Sequence, residues 1–171
     1  MIKRQTKIRI AERTDLRAIV RIYNQAIEQQ KIAATEVLTE IARVSWFEEH
    51  DPEAHPILVA KQDGAVVGYL SISAYRPGRS ALRHTGEVSY FVDQAHQRQG
   101  VASELFRKAA CMCGDLGLKN LFAILLESNS DSIAFLEKHG FQKWAHLPRV
   151  AVFGNQEVDQ VYYGKRIIES E

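Results

Sequence analysis

The sequence predicts an α/β (α+β mixed) protein: a mixed sheet with helices on both faces, one domain over residues 1–171. Three observations carry this expectation. Strand and helix periodicities follow one another in the order β-α-α-β-β-β-α-β-α-β-β, with no internal repeat and no linker that would split the chain. Leu121 to Leu126 is a continuous apolar run between polar residues, the pattern of a strand buried on both faces. Asp63-Gly64 between two strand-like runs is a hairpin signal, so part of the sheet is antiparallel. At 171 residues the chain can bury a core without disulfide staples.

The elements follow in order. Lys7 to Ala11 alternates as a first strand. Thr14 or Asp15 then caps a helix whose Leu16, Ile19, Val20, Tyr23 and Ile27 recur at three-and-four spacing. After an irregular stretch from Lys31 to Leu38, Thr39 caps a second helix (Ile41, Val44, Trp46, Phe47) ending near Asp51-Pro52. His55 to Gln62 and Val66 to Tyr75 are the arms of the hairpin, and Pro77-Gly78 breaks the second arm. A polar stretch through Arg83 leads into a central strand, Glu87 to Val92. The helix Gln99 to Leu116 puts Val101, Leu105, Ala109, Met112 and Leu116 on one stripe, with Gly117 where a C-terminal glycine belongs. Beyond the buried strand, Ser130 to His139 is a short helix closed by Gly140. Phe141 to Phe153 and Glu157 to Lys165 are two last strands joined across Gly154-Asn155.

Composition narrows the function. With 46% apolar and 25% charged residues and a net charge of +1, no overall field favours nucleic acid, and no basic patch is interleaved with aromatics. No apolar run approaches the roughly 18 residues of a membrane span, and the start of the chain has no signal-like apolar segment. The expectation is a cytoplasmic protein with neither a membrane nor a nucleic-acid partner. Cys111 and Cys113, two apart in a helical pattern, suit neither a disulfide nor a zinc knuckle and read as small core or boundary residues. No His/Cys/Asp cluster has ligand spacing, so no metal is expected.

The chemistry gathers between Arg83 and Ala110, where a strand, a polar loop and an amphipathic helix follow one another. The first turn of that helix has unpaired N–H groups and the positive end of the helix dipole, a site for an anion. In Gln97-Arg98-Gln99-Gly100-Val101-Ala102, Gly100 lets the backbone approach a ligand, Ala102 keeps the next turn thin, and Arg98 can add a charge-assisted bond to phosphate. Taken alone, a glycine at a helix start is common and carries little weight.

The pattern Gln97-x-x-Gly100-x-Ala102 after a strand resembles the acetyl-CoA motif of the GNAT superfamily of N-acetyltransferases. Asn129-Ser130-Asp131-Ser132, running on to Glu137-Lys138-His139-Gly140-Phe141, resembles that superfamily's second motif at the spacing it shows. Within the superfamily the chain is most similar to the phosphinothricin and methionine sulfoximine N-acetyltransferases. Ile22-Tyr23-Asn24, Ile32-Ala33-Ala34-Thr35, Trp46-Phe47, Val67-Gly68-Tyr69 and Arg83-His84-Thr85-x-Glu87-x-Ser89 carry that likeness, which thins after Phe141. The resemblance implies the GNAT fold, with a central mixed, mostly antiparallel sheet. It implies direct acetyl transfer from acetyl-CoA, as co-substrate, to the primary amine of a small amino acid or analogue. It also implies a homodimer.

Site residues follow from the same resemblance. The pantetheine arm would lie along Phe91 and Val92, the pyrophosphate on the N–H groups of Arg98, Gln99, Gly100, Val101 and Ala102, and Asn129 and Ser132 beside the arm. The N–H of Val92 is the candidate donor to the thioester oxygen as charge develops there. Glu87, sharing a strand face with Ser89 and Phe91, is the candidate base, since an amine must lose its proton before it attacks; read without the family it is a solvated residue at a strand start. Arg83, Arg76, His84 and Thr35 are candidates for the acceptor, the cations for its carboxylate, though exposed turn charges are the plain alternative. Tyr23 and Trp46 fall on apolar helix stripes and read as core. One departure stands. Where many members carry Tyr, and the phosphinothricin group His, this chain has Leu136, which cannot protonate a departing thiolate. A thiolate with a pKa near about 8.5 leaves tolerably, so no general acid is assigned. Acetylation of another small amine or a protein N-terminus, or a non-catalytic acyl-CoA-binding sensor, are the competing readings.

Overall fold

A computed structural model describes residues 5–167. Its strands are β1 (Lys7–Ile10), β2 (Ile57–Gln62), β3 (Ala65–Ala74), β4 (Thr85–Val92), β5 (Asn120–Leu126), β6 (Gln142–Phe153) and β7 (Gln156–Arg166). They form one seven-stranded sheet in the order β1-β2-β3-β4-β5-β7-β6, and only β4 and β5 run parallel. Helices α1 (Leu16–Glu28) and α2 (Val44–Glu48) cover one face. Helices α3 (Val101–Met112) and α4 (Ser130–Lys138) cover the other. The predicted mixed, mostly antiparallel sheet between two helical layers is the one observed.

Period-two alternation sorts the side chains between the layers. From β4, Val88, Tyr90 and Val92 face α3 and α4, while Phe91 faces α1 and stacks on Tyr69 of β3 at 5.2 Å between ring centroids. Leu58, Leu70 and Ile72 of β2 and β3 meet Leu105 of α3 and Leu136 of α4 in the larger core, all with no exposed surface. Each such side chain contributes about 1.5–3 kcal/mol by leaving water. Ala60 pairs with Gly68 but Lys61 pairs with Val66, so Val67 is the extra residue of a bulge. The bulge brings Gly68 beneath α3, where a Cβ would stand 3.0 Å from Val101 Cγ1 and 3.1 Å from the Phe91 carbonyl oxygen. Any side chain there would need the Val101 methyl and the Phe91 carbonyl to give by a few tenths of an ångström.

Local details differ from expectation in four places. Glu12, rather than Thr14 or Asp15, caps the turn before α1. Asp15 reaches back from the third position, where its carboxylate accepts from the Glu12 N–H at 2.8 Å and from Arg9 at 2.6 and 2.9 Å. The second helix is a single 3-10 turn, Ile41–Arg43, followed by the five residues of α2. Thr39 still accepts from the Ala42 N–H at 3.2 Å, but Ile41 is 86% exposed, so the buried stripe starts later than its spacing suggests. Gly100 adopts φ +85° as the cap of α3, so that helix begins at Val101 rather than Gln99 and ends at Met112. Lastly, β5 is not buried along its whole length: Ile124 and Leu125 are half-buried because β4 has left their side. Of the two cysteines, Cys113 is buried and Cys111 exposed; both are free.

Candidate active-site cleft

β4 and β5 pair only from Thr85 to Glu87 against Asn120 to Phe122. Past that point each strand follows its outer neighbour. β4 stays on β3 as far as Val92, and β5 stays on β7 as far as Leu126. Sheet twist then separates the two and opens a cleft. The cavity there measures about 650 Å³ and is walled by residues 88–92 of β4, 123–126 of β5, the start of α3, one side of α4 and the chain leaving α1. Asp93 donates its N–H to the Val67 carbonyl, toward β3, at 2.8 Å. Alternation along an extended strand therefore turns the N–H groups of Val92 and Tyr90 the other way, into the cleft.

At the cleft's outer end, Arg98 (φ +59°) and Gly100 (φ +85°) are both left-handed, and the chain turns sharply into α3. The first-turn N–H groups of α3 have no partners within the helix. Arg98, Gly100, Val101 and Ala102 line the cavity; Gln99 does not, because its side-chain amide donates back to the Ala95 carbonyl at 3.0 Å. Space around Gly100 is open, so its positive φ, not a close neighbour, is what calls for glycine there.

Asp93, which sequence reasoning missed, fastens this loop. Its buried carboxylate accepts from Arg21 and Gln25 of α1, from His96, and from the Ala95 N–H at 3.0 Å. Burial alone would raise its pKa, but the bonds from Arg21, His96 and Ala95 outweigh that and hold it at about 2. An Asp followed by a turn just after a strand is a capping signal that could have flagged it.

Asn129 is the N-cap of α4 and is nearly buried. Its Oδ1 accepts from the Ser132 N–H at 3.3 Å and its Nδ2 donates to the Lys31 carbonyl at 3.2 Å, tying the loop after α1 to α4. One amide hydrogen remains free to face the cleft. Ser132, Phe91 and Val92 also line the cavity. The Tyr90 hydroxyl donates to the Ser132 carbonyl at 3.4 Å, and burial pushes its phenol up to about 12. Leu136 is fully buried among core side chains.

Glu87 is the last residue of β4 that pairs with β5, at the point where the two strands part, and lies just outside the cavity wall that begins at Val88. It is half-buried, its neighbours in register are Ser73 and Phe122, and burial alone raises its carboxyl above the ordinary value. Arg76 and Arg83 lie in the exposed loop joining β3 to β4, at this same end of the sheet. Arg83 donates to the Ser80 carbonyl of its own turn at 3.0 Å. The His84 ring meets the Gly117 carbonyl at 2.6 Å, which ties the start of β4 to the turn after α3. Thr35 is exposed, just past Ile32 and Ala33 of the cavity wall.

The fold also assembles Glu127, His146 and Asp159, which sequence spacing did not connect; their ligand atoms all lie within 4.8 Å of one another. His146 pairs with Asp159 at 2.6 Å and Lys143 with Glu127 at 2.9 Å, so both carboxylates already have side-chain partners. No helix among the described residues is long and apolar enough to cross a membrane.

Comparison with known proteins agrees with this geometry. The Acetyltransferase (GNAT) family matches residues 16–141. The chain is 35% identical over 162 residues to YwnH of Bacillus subtilis (strain 168), whose name assigns it to the phosphinothricin acetyltransferases, covering 94% of this chain and 98% of that one. It is 30% identical over 146 residues to the L-methionine sulfoximine/L-methionine sulfone acetyltransferase of Salmonella typhimurium (strain LT2), covering 85% of each. Among solved structures, yncA from Salmonella typhimurium with its cofactor acetyl-CoA superposes with a TM-score of 0.88 at 28% identity, over 96% of this chain and 95% of that one. With the family matched across most of its length and across both walls of the cleft, this chain belongs to the Acetyltransferase (GNAT) family.

Proposed function

We propose that this protein is an acetyl-CoA-dependent N-acetyltransferase acting on the primary amine of a small amino acid or analogue of the phosphinothricin or methionine sulfoximine kind. The observation that carries the reading is Glu87, a half-buried carboxylate with a raised pKa at the point where the strands part to open a cleft whose far end is a helix N-terminus. The names of the relatives and the acetyl-CoA held by the yncA structure support the same chemistry.

The N–H groups from Arg98 to Ala102 and the Arg98 guanidinium would hold the diphosphate. Phe91, Val92, Asn129 and Ser132 would hold the pantetheine arm. For the donor to the thioester oxygen, distance favours Tyr90 over Val92. Val92 is five residues from Glu87, roughly 17 Å along the strand, whereas the Tyr90 N–H faces the same cleft at roughly 10 Å. The reaction needs that carbonyl and the activated amine together, so Val92 serves the arm and Tyr90 the oxyanion. Glu87 takes the amine's proton, directly or through a water, and its raised pKa suits that work near neutrality. Leu136 offers no proton, so the thiolate leaves unassisted from that side.

Arg76 and Arg83, with Thr35, would meet the acceptor's carboxylate. Arg76 has no partner of its own among the described residues, while Arg83 would have to give up Ser80. We also read the chain as a homodimer, for which the exposed Trp144, Val150 and Val152 on the edge strand β6 give an apolar surface. Two free cysteines suit a cytoplasmic setting.

The deciding experiment measures CoA thiol release from acetyl-CoA across amino acids, methionine sulfone and sulfoximine, phosphinothricin, polyamines and short peptides. Turnover on carboxylate-bearing small amines, with KM raised in Arg76→Ala and Arg83→Ala, is expected. Acetyl-CoA binding without turnover on any amine would refute the enzyme and leave an acyl-CoA sensor.

A further inference from the structure

Behind Glu87 two more proton-carrying groups stand in line on the same face of the sheet. His50 follows α2, with Nδ1 2.7 Å from the Trp46 carbonyl oxygen and Nε2 3.2 Å from the Ser73 hydroxyl. A carbonyl can only accept, so Nδ1 carries the ring hydrogen, and Nε2 of the neutral ring accepts from Ser73. Ser73 in turn stands directly opposite Glu87 in the β3–β4 register. Such cross-strand partners have Cβ atoms about 5 Å apart on one face; the two side chains make no direct hydrogen bond here, so the hydroxyl and the carboxyl meet by side-chain rotation. With its hydrogen given to Nε2, the Ser73 oxygen offers Glu87 lone pairs only. That arrangement welcomes a protonated carboxyl.

We propose that Ser73 and His50 extend Glu87 into a proton relay for acetyl transfer, an inference that rests on reading Glu87 as the base. The acceptor's N–H bond breaks as a Glu87 O–H bond forms. The Glu87 proton then passes to Ser73 Oγ while the Ser73 proton passes to His50 Nε2. Carboxylate and serine are restored, one proton has moved, and the half-exposed imidazolium loses it to water. Burial raises the Glu87 carboxyl and, despite the Trp46 bond, lowers the His50 ring, so the two proton affinities move toward each other. Around His50, Arg43 and His55 oppose a positive charge and Glu49 favours it. Glu87 faces Ser73 from β3 and Phe122 from β5, with no ionised partner among the described residues.

Two substitutions test the relay. Ser73→Ala removes its middle. His50→Asn keeps an N–H where Nδ1 meets the Trp46 carbonyl but has nothing at Nε2, so α2 retains its terminal bond. Each should lower kcat by about 10- to 100-fold, with acetyl-CoA affinity and Tm close to wild type, and added imidazole should restore part of the rate in His50→Asn. A loss that imidazole leaves untouched, or one confined to KM, would assign both residues to the shape of the pocket and overturn the relay. Glu87→Gln, run in parallel, separates the two readings. Wild-type rates in both relay variants beside a dead Glu87→Gln would remove the relay and keep the base. An active Glu87→Gln would remove both.

Discussion

Replacing Asp93 with Asn should weaken both the fold and the grip on acetyl-CoA, because one buried carboxylate joins α1 to the loop that leads into α3. Asn keeps an oxygen for the Ala95 N–H but loses the charge that Arg21 and His96 face. Asp93 is only 6% exposed, and its pKa of about 2 lies well below the ordinary 3.8. That gap corresponds to roughly 2 kcal/mol of folding stability, less the share that water takes from the half-exposed Arg21, leaving roughly 1–2 kcal/mol. For a chain of this size the melting temperature should fall by roughly 3–7 °C at pH 7. The folded pKa is depressed, so this stabilisation is fully present above the ordinary carboxylate value and is lost as pH falls toward about 2. Thermal melts followed by circular dichroism at pH 7, 5 and 2.5 should therefore show the wild type and Asp93→Asn converging at the acid end. Calorimetry at pH 7 should show weaker acetyl-CoA binding by the variant. Equal melting temperatures at pH 7, or a gap that is the same at pH 7 and 2.5, would refute the electrostatic account.

Four further outcomes follow from the same geometry. Glu87→Gln should lower kcat by about 10²- to 10⁴-fold with acetyl-CoA affinity unchanged. In the wild type, activity should rise with pH through a value above 4.5, since a base works when ionised and burial raises this carboxyl; an acid limb at or below 4.5 would contradict that. Gly100→Ala meets no neighbour but forces a side chain into φ +85°, a cost of about 1–2 kcal/mol, so both Tm and acetyl-CoA affinity should drop; unchanged affinity would move the phosphate site elsewhere. Leu105→Ala, at a fully buried position on the inner face of α3, should cost about 2–5 kcal/mol in urea unfolding while leaving the cleft residues in place.

What could be read from the sequence depended on whether the signal was local. Three-and-four patterns marked α1 and α3 because each buries one face against the sheet, which forces apolar spacing on the chain itself, whereas β3, buried on both faces, was marked by the Asp63-Gly64 turn before it. The second helix was placed but drawn too long, since Ile41 mimics a stripe residue while projecting into water. Asp15 misled for a related reason: an acid near a helix start suits both the cap and the third position, and only the approach of Arg9 decides between them. In the site, Gly100 was legible from its place at a helix start, where the chain uses its left-handed φ, while Asn129, the cap of α4, was reached through the family resemblance.

Asp93, Ser73 and His50 act across the sheet. Asp93 meets Arg21 from 72 residues away and Ser73 meets His50 from 23, separations at which no local pattern records the contact. The divergence of β4 from β5 is likewise invisible in either strand alone. It follows from which outer neighbour each strand keeps, and it turns a common apolar sequence into the wall of a cleft. A motif can name the strand, but which of its N–H groups open into the cleft depends on where the pairing stops, and here it stops at Glu87, so the N–H groups of both Tyr90 and Val92 face the cleft.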